Sequence, residues 1–160
     1  MSGAYTPAGV TDAMLEIIAF KLHDQEFCMR TTTIREIRGW GQSTPIPHAP
    51  HDVVGVMNLR GSVIPIIDLA NKLGMPSTEP TPRSAIVVAE VNGTAIGLVV
   101  DMVSDILTIQ ENLLQPVPEI SVTSGMRFAE AIIAQPTGMI CFLNLQAMFG
   151  KTETMRTIAA

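Results

Sequence analysis

The sequence predicts a mainly β protein built from two related halves, and three observations carry that expectation. Apolar runs are short, and each is bounded by turn residues. Asn92-Gly93 sits between two such runs, the strongest short hairpin signal a sequence offers. Finally, "IIDLANKLG" (66–74) is echoed by "FLNLQAMFG" (142–150): two apolar residues, Asp or Asn, Leu, three variable residues, an apolar residue and Gly. Each echo is a strand feeding a capped single-turn helix, and each follows a predicted hairpin. Two hairpin-built barrels, each closed by a small helix, fit this better than βαβ units.

The elements follow in order. Residues 1–13, rich in Ser, Gly, Thr, Pro and Ala, read as a mobile tail. "EIIAFKL" (16–22) is a strand, "HDQE" turns it and "FCMR" returns. In "TTTIREIRGW" (31–40), Thr33 and Glu36 have capping-box spacing and Ile34 and Ile37 are three apart, which predicts one short helix ended by Gly39. "GQSTPIPHAP" (41–50) is a proline-bearing loop. "VVGVMNL" and "SVIPIIDL" form a hairpin about Arg60-Gly61, and Asp68 caps "LANKL" with Gly74 just past its end. "SAIVVAEV" and "TAIGLVVD" pair about Asn92-Gly93, and "VSDILTI" (103–109) continues as strand. After the polar stretch "QENLLQPVPEISVTSG", "RFAEAIIAQ" and "MICFLNL" make a last hairpin about Pro136-Thr137-Gly138. Asn144 then caps "LQAMF", and Gly150 ends it.

Composition excludes several functions. The net charge is −5 and no basic run exists, so nucleic acid is not an expected partner. No run approaches the roughly 18 apolar residues of a membrane span. No basic segment followed by an apolar stretch opens the chain, so no secretory signal is expected and the protein reads as soluble and cytoplasmic. Cys28 and Cys141 lie far apart in apolar runs, as reduced core residues do. Aromatic residues make up 4% of the chain, so its 10 Met read as core filling.

Candidate chemistry is sparse. His48, His51 and Asp52 in "HAPHD" could share a metal, but Pro47 and Pro50 oppose a helix and no further ligand is near. Asp101 and Asp105 resemble a carboxylate pair, yet Asp at a strand end commonly turns or caps the chain. No phosphate loop or nucleophile motif is present. The sequence therefore favours a non-enzymatic module acting through its surface, without catalytic residues, metal or cofactor.

"EIRGW", "GVMNLRGSVIPIIDLANKLG", "IGLVVDMVSDILTI" and "PVPEI", in this order and at these intervals, resemble the bacterial chemotaxis coupling (CheW-like) family. The resemblance runs from about Leu15 to Gly150, leaving residues 1–14 and 151–160 as tails. It implies two SH3-like five-stranded β-barrels, partly intertwined, with a third apolar seam between them. It also implies a non-catalytic adaptor joining the cytoplasmic tips of chemoreceptors to the histidine kinase CheA, in the cytoplasm and recruited to membrane-associated receptor arrays. The kinase's C-terminal regulatory domain is implied to share the fold and to be the partner.

The resemblance implies a receptor groove between the barrels, carrying Ile34, Glu36 and Arg60. Arg supplies a rigid donor fork, and Glu36 would hold it by a charge-assisted bond. Ile34 would be an apolar anchor, with Val56, Asn58 and Leu59 shaping the wall. Two kinase-facing surfaces are also implied, one on the exposed strand "SAIVV" at Ala85 and Ile86, one on "QPVPEI" at Gln115, Glu119 and Ile120. The rival readings are an adaptor of a non-flagellar chemosensory pathway and a small metal-dependent hydrolase using His48, His51 and Asp52.

Overall fold

The computed structural model describes residues 13–41, 43–77, 79–117, 128–136 and 138–149. Eleven strands and two short helices are described: β1 (Met14–Leu22), β2 (Gln25–Arg30), β3 (Ile34–Gly39), β4 (Val53–Leu59), β5 (Ser62–Asp68), α1 (Leu69–Lys72), β6 (Ala85–Val91), β7 (Thr94–Val100), β8 (Met102–Gln110), β9 (Leu114–Gln115), β10 (Ala129–Gln135), β11 (Gly138–Leu143) and α2 (Leu145–Phe149). They form two sheets, ordered β8-β1-β2-β11-β10-β9 and β3-β6-β7-β5-β4. Apart from the two-residue β9, these are the two five-stranded SH3-like units expected. The tails fall almost wholly outside the described residues.

Every predicted hairpin forms. β1–β2 turns more tightly than "HDQE" suggested, pairing Leu22 with Gln25. At the β6–β7 turn Asn92 and Gly93 have φ of 52° and 78°, the left-handed pair of a type I′ turn. Both predicted helix caps are made. The Asp68 carboxylate accepts from the Asn71 N–H at 3.2 Å, and the Asn144 side-chain oxygen accepts from the Ala147 N–H at 3.1 Å. Gly150 lies outside the described residues.

One predicted element does not form. Residues 31–40 do not form an α-helix: Thr31–Thr33 make a single 3-10 turn and Ile34–Gly39 is strand β3. The Thr33 hydroxyl does not cap residue 36; it donates back to the Arg30 carbonyl at 2.7 Å. β3 instead pairs antiparallel with β6. Ile34 and Ile37 are β-branched and suit a pleated surface, and the open edge of β6 outweighs a weak local helical signal.

The echo in the sequence marks a duplication that the hydrogen bonding extends. Each repeat reads hairpin, single strand, hairpin, helix: β1-β2-β3-β4-β5-α1, then β6-β7-β8-β10-β11-α2, with β9 additional. β5 runs parallel to β7, matching Ile66 to Gly97, and β11 runs parallel to β2, matching Phe142 to Cys28. The irregularities also coincide. β3 carries an extra residue between Ile34 and Glu36 opposite Ala89 and Val88, and β8 carries one between Val103 and Asp105 opposite Phe20 and Ala19. β4 and β10 are bulged at Val54 and Glu130, opposite the equivalent pairs Ile67–Ile66 and Leu143–Phe142. The third strand of each repeat, however, pairs with the first strand of the other: β3 with β6, and β8 with β1. The expected intertwining is therefore an exchange of strands between repeats.

Three apolar clusters result. Ile17, Cys28, Ile133, Ile140 and Phe142 fill the first barrel, and Leu59, Ile64, Ile66, Ile86, Val88 and Val99 fill the second. The largest lies between them: Ile18, Phe20 and Phe27 from the first sheet meet Val87, Ala89 and Leu98 from the second, with α1 and α2 contributing Leu69, Leu73, Met148 and Phe149. Phe20 and Phe27, paired across the β1–β2 hairpin, stack there with centroids 6.2 Å apart. The register also separates the cysteines. Cys141 is matched to Phe27 and packs on the seam, while Cys28 is matched to Phe142 and sits in the first barrel. Neighbouring positions on a strand face opposite ways, so the two thiols lie on opposite faces of the sheet.

Two stability outcomes follow from the duplicated geometry. Asp68→Ala and Asn144→Ala should each cost about 0.5–2 kcal/mol in chemical denaturation, as lost caps do. Wild-type curves for both would remove the structural meaning of the echo. Gly97→Ala should cost about 1–3 kcal/mol by overpacking, because a Cβ there would stand 2.7 Å from Ile66 Cδ1 and 2.9 Å from Ile86 Cγ2.

Candidate functional site: an ion pair on the rim of a groove

The β4–β5 hairpin turns at Arg60-Gly61 with φ of 53° and 87°, again the type I′ combination. Such a turn leaves the Gly61 N–H without a strand partner, and the Asn58 side-chain oxygen accepts from it at 3.0 Å. Arg60 is therefore held at the tip of a braced turn. Its Nη1 reaches Glu36 Oε2 on β3 at 2.8 Å. The guanidinium is 79% exposed and the carboxylate 21%, so one partner is nearly free and the other partly enclosed.

Glu36 owes its direction to the β3 bulge. Cross-strand partners share a face of a sheet, and without the bulge Ile34 and Glu36, two positions apart in a regular strand, would face the same way. With it, Ile34 stands opposite Ala89 on the seam, whereas Glu36 stands opposite Val88 on the side of the second barrel. The structure thus separates two of the residues expected together. Ile34 packs against the seam, and Glu36 and Arg60 line a groove of about 760 Å³. That groove is built from the second sheet and Ile46, so it lies on one barrel rather than between two.

Val56 and Leu59 line the groove as expected, Leu59 also reaching the barrel core. Asn58 does not line it; its side chain braces the turn. The opposite rim comes from Gly93, Thr94 and Ala95. These and the remaining lining residues were not foreseen, and three of them stand out. Arg35 is the extra residue of the bulge, Val63 is 67% exposed on β5, and Ile46 comes from the proline-bearing loop. That loop is clipped to β4 by two backbone bonds of 2.8 Å between Thr44 and Val56. Gly55 permits the approach, since a Cβ there would run into the Thr44 carbonyl.

The other expected residues divide. Ala85 and Ile86 are not on an exposed strand: β6 is interior to its sheet, and they are 8% and 0% exposed. The run, which the resemblance implied to be exposed, is here covered on one face by the seam and on the other by the barrel core, so these side chains offer no surface to a partner. Gln115 is exposed on β9; Glu119 and Ile120 lie outside the described residues.

Among the described residues, no three of His, Cys, Asp and Glu converge as a metal-binding group. The Asp52 carboxylate faces Lys72 Nζ at 3.8 Å. The Asp101 carboxylate accepts from the His23 N–H, and that of Asp105 from the Ile106 N–H at 2.8 Å, so both act as local acceptors. Burial, with smaller contributions led by Cys141, pushes the Cys28 thiol up to about 12; burial raises Cys141 as well. Neither thiol is poised as a nucleophile at neutral pH. Among the described residues no helix is long and apolar enough to cross a membrane.

This architecture and the residues on it have relatives. The CheW-like domain profile matches residues 16–153. A probable chemotaxis protein CheW of Rhizobium etli is 47% identical over 151 residues, covering 94% of this chain and 97% of that protein. The chemotaxis protein CheW of Rhizobium meliloti is 46% identical over 144 residues, covering 90% and 93% respectively. The crystal structure of the scaffolding protein TtCheW from Thermoanaerobacter tengcongensis superposes with a TM-score of 0.79 at 28% identity, covering 88% of this chain and 95% of that one. A profile spanning nearly the whole chain and relatives matched end to end agree with the strand-exchanged double barrel, and the chain belongs to the CheW-like domain family.

Proposed function

We propose that this protein is a non-catalytic adaptor of a bacterial chemosensory array, and that the groove rimmed by Glu36 and Arg60 receives the cytoplasmic tip of a chemoreceptor. The histidine kinase CheA is the second partner, through its C-terminal regulatory domain. The observation that carries the receptor reading is the exposed Arg60 guanidinium on the groove rim, presented from a left-handed backbone conformation that His23 and His48 also adopt elsewhere. A side chain with a Cβ in the left-handed region costs on the order of 1 kcal/mol. The same chain places Asn, which tolerates that region, before Gly in its other type I′ turn, Asn92-Gly93. The ion pair with Glu36 is a weak structural reason for the exception. With one partner 79% exposed, such pairs contribute about 0–1 kcal/mol. A rigid guanidinium offered to a partner is a stronger one.

The kinase contact is assigned to a different surface, at Gln115, Glu119 and Ile120, on the resemblance in sequence. Ala85 and Ile86 are left out because they are buried. The relatives' names as chemotaxis proteins and a scaffolding protein support an adaptor role. They leave the particular receptors and kinase to experiment.

Arg60→Asn separates the turn from the site. It installs the residue the turn prefers, so stability in chemical denaturation should hold or rise slightly, by at most about 1 kcal/mol. Receptor binding should nevertheless fall. Arg60→Glu should abolish receptor binding, because it reverses the charge and sets two carboxylates together. Circular dichroism and kinase binding should remain normal. Receptor pull-down with both variants decides the matter, and undiminished capture by folded Arg60→Glu would make Arg60 a turn residue and nothing more.

A further inference from the structure

We propose that Arg35 is a second cationic contact for the occupant of this groove, and that the occupant is a receptor segment carrying at least two carboxylates beside apolar side chains. The inference rests on the receptor reading of the groove and extends it to a residue outside the Glu36–Arg60 pair. Three charged residues line the groove: Arg35, Glu36 and Arg60. Each arginine is matched by one internal carboxylate, Arg60 by Glu36 and Arg35 by Glu90, and both guanidiniums are more exposed than their carboxylates, so the cations are the groups presented to an occupant. Between them the lining is mostly apolar, interrupted by Ser62 and Thr94, with Val63 67% exposed. A segment mixing acidic and apolar residues complements this surface in both charge and polarity.

Arg35 reaches the groove by the same device that aims Glu36. It is the extra residue of the β3 bulge, so it lies outside the ladder register. Its Nε and Nη2 both donate to Glu90 Oε1, at 2.8 and 2.6 Å. Both partners are exposed, 52% and 42%, so the pair adds little to stability and is loosened by salt. An incoming carboxylate can therefore take over part of the fork without unfolding anything, while Glu90 competes for it.

That competition gives opposite signs to two substitutions. Arg35→Gln removes the cation; Glu90→Gln removes the same internal pair but leaves the cation free. Binding of the full-length variants to receptor-bearing membranes is measured at increasing ionic strength. Arg35→Gln should weaken binding about two- to fivefold at low salt, the range of an exposed charge pair, with the gap closing as salt rises. Glu90→Gln should bind as well as wild type or more tightly, and Arg35→Lys should recover part of the loss. If Arg35→Gln and Glu90→Gln weaken binding equally, the pair is only structural and the proposal falls. If Arg35→Gln has no effect while Arg60→Gln does, the receptor groove stands and this extension falls. If neither arginine matters, the groove itself is not the receptor site.

Discussion

β3 belongs to the first repeat by sequence and to the second by hydrogen bonding, and β8 is the reciprocal case. Neither repeat can complete a sheet from its own strands. The β6–β7 hairpin shows the consequence, since it is covered on both faces. Val87, Ala89 and Leu98 enter the seam while Ile86, Val88 and Val99 enter the second barrel. A hairpin on its own is marginal in water, and one with two apolar faces needs cover on each. The seam supplies one cover and the exchanged strands help to build the other. Both helices drop into the same seam, so Asp68 and Asn144 cap elements that close the shared core rather than separate ones.

The candidate site is a by-product of that exchange. β3 lies at a sheet edge and β6 is its one neighbour. The bulge in that pairing turns Ile34 inward to the seam and Glu36 toward the second barrel. It also throws Arg35 out of register onto the groove. The first barrel repeats the bulge on β8, with Asp105 at the position of Glu36. There the carboxylate accepts from the next residue's N–H, and the sequence joining β10 to β11 holds no arginine. The bulge is present in both repeats, and the arginine at the hairpin tip belongs to the first.

The hairpins, both caps and the repeat were legible because each rests on local chemistry: alternation, an Asn-Gly pair, an Asp or Asn before a Leu. β3 was not. Thr33 and Glu36 at capping-box spacing describe a local preference, whereas β3 exists because β6, some fifty residues later, presents an edge. Ala85 and Ile86 were misjudged for a related reason. A strand covered on both faces and one covered on a single face differ in their neighbours, and that difference belongs to the tertiary structure. At the site, Arg60 and Glu36 were paired through the family resemblance, and the structure brings them to 2.8 Å. Arg35 and Val63 were missed because no local signal announces a bulge, and an apolar residue just after a turn reads as strand filler.

Arg60 and Asn92 pose the same backbone problem, and comparing them shows where selection for stability stops. Both occupy the first central position of a type I′ turn, with φ of 53° and 52°. Asn92 suits the conformation, and its side-chain oxygen accepts from Gln146 Nε2 at 2.6 Å, tying the turn to α2. Arg60 is less suited, and Asn58 has to brace its turn from the strand. Its one ion pair is too exposed to offset much of the backbone cost. Departures from local consistency concentrate where a protein meets something else. The departure at Arg60 sits on the rim of the groove, while the turn at Asn92 forms part of the opposite wall and keeps the conventional residue. Under the proposed function, the groove has one wall shaped for the fold and one shaped for a partner.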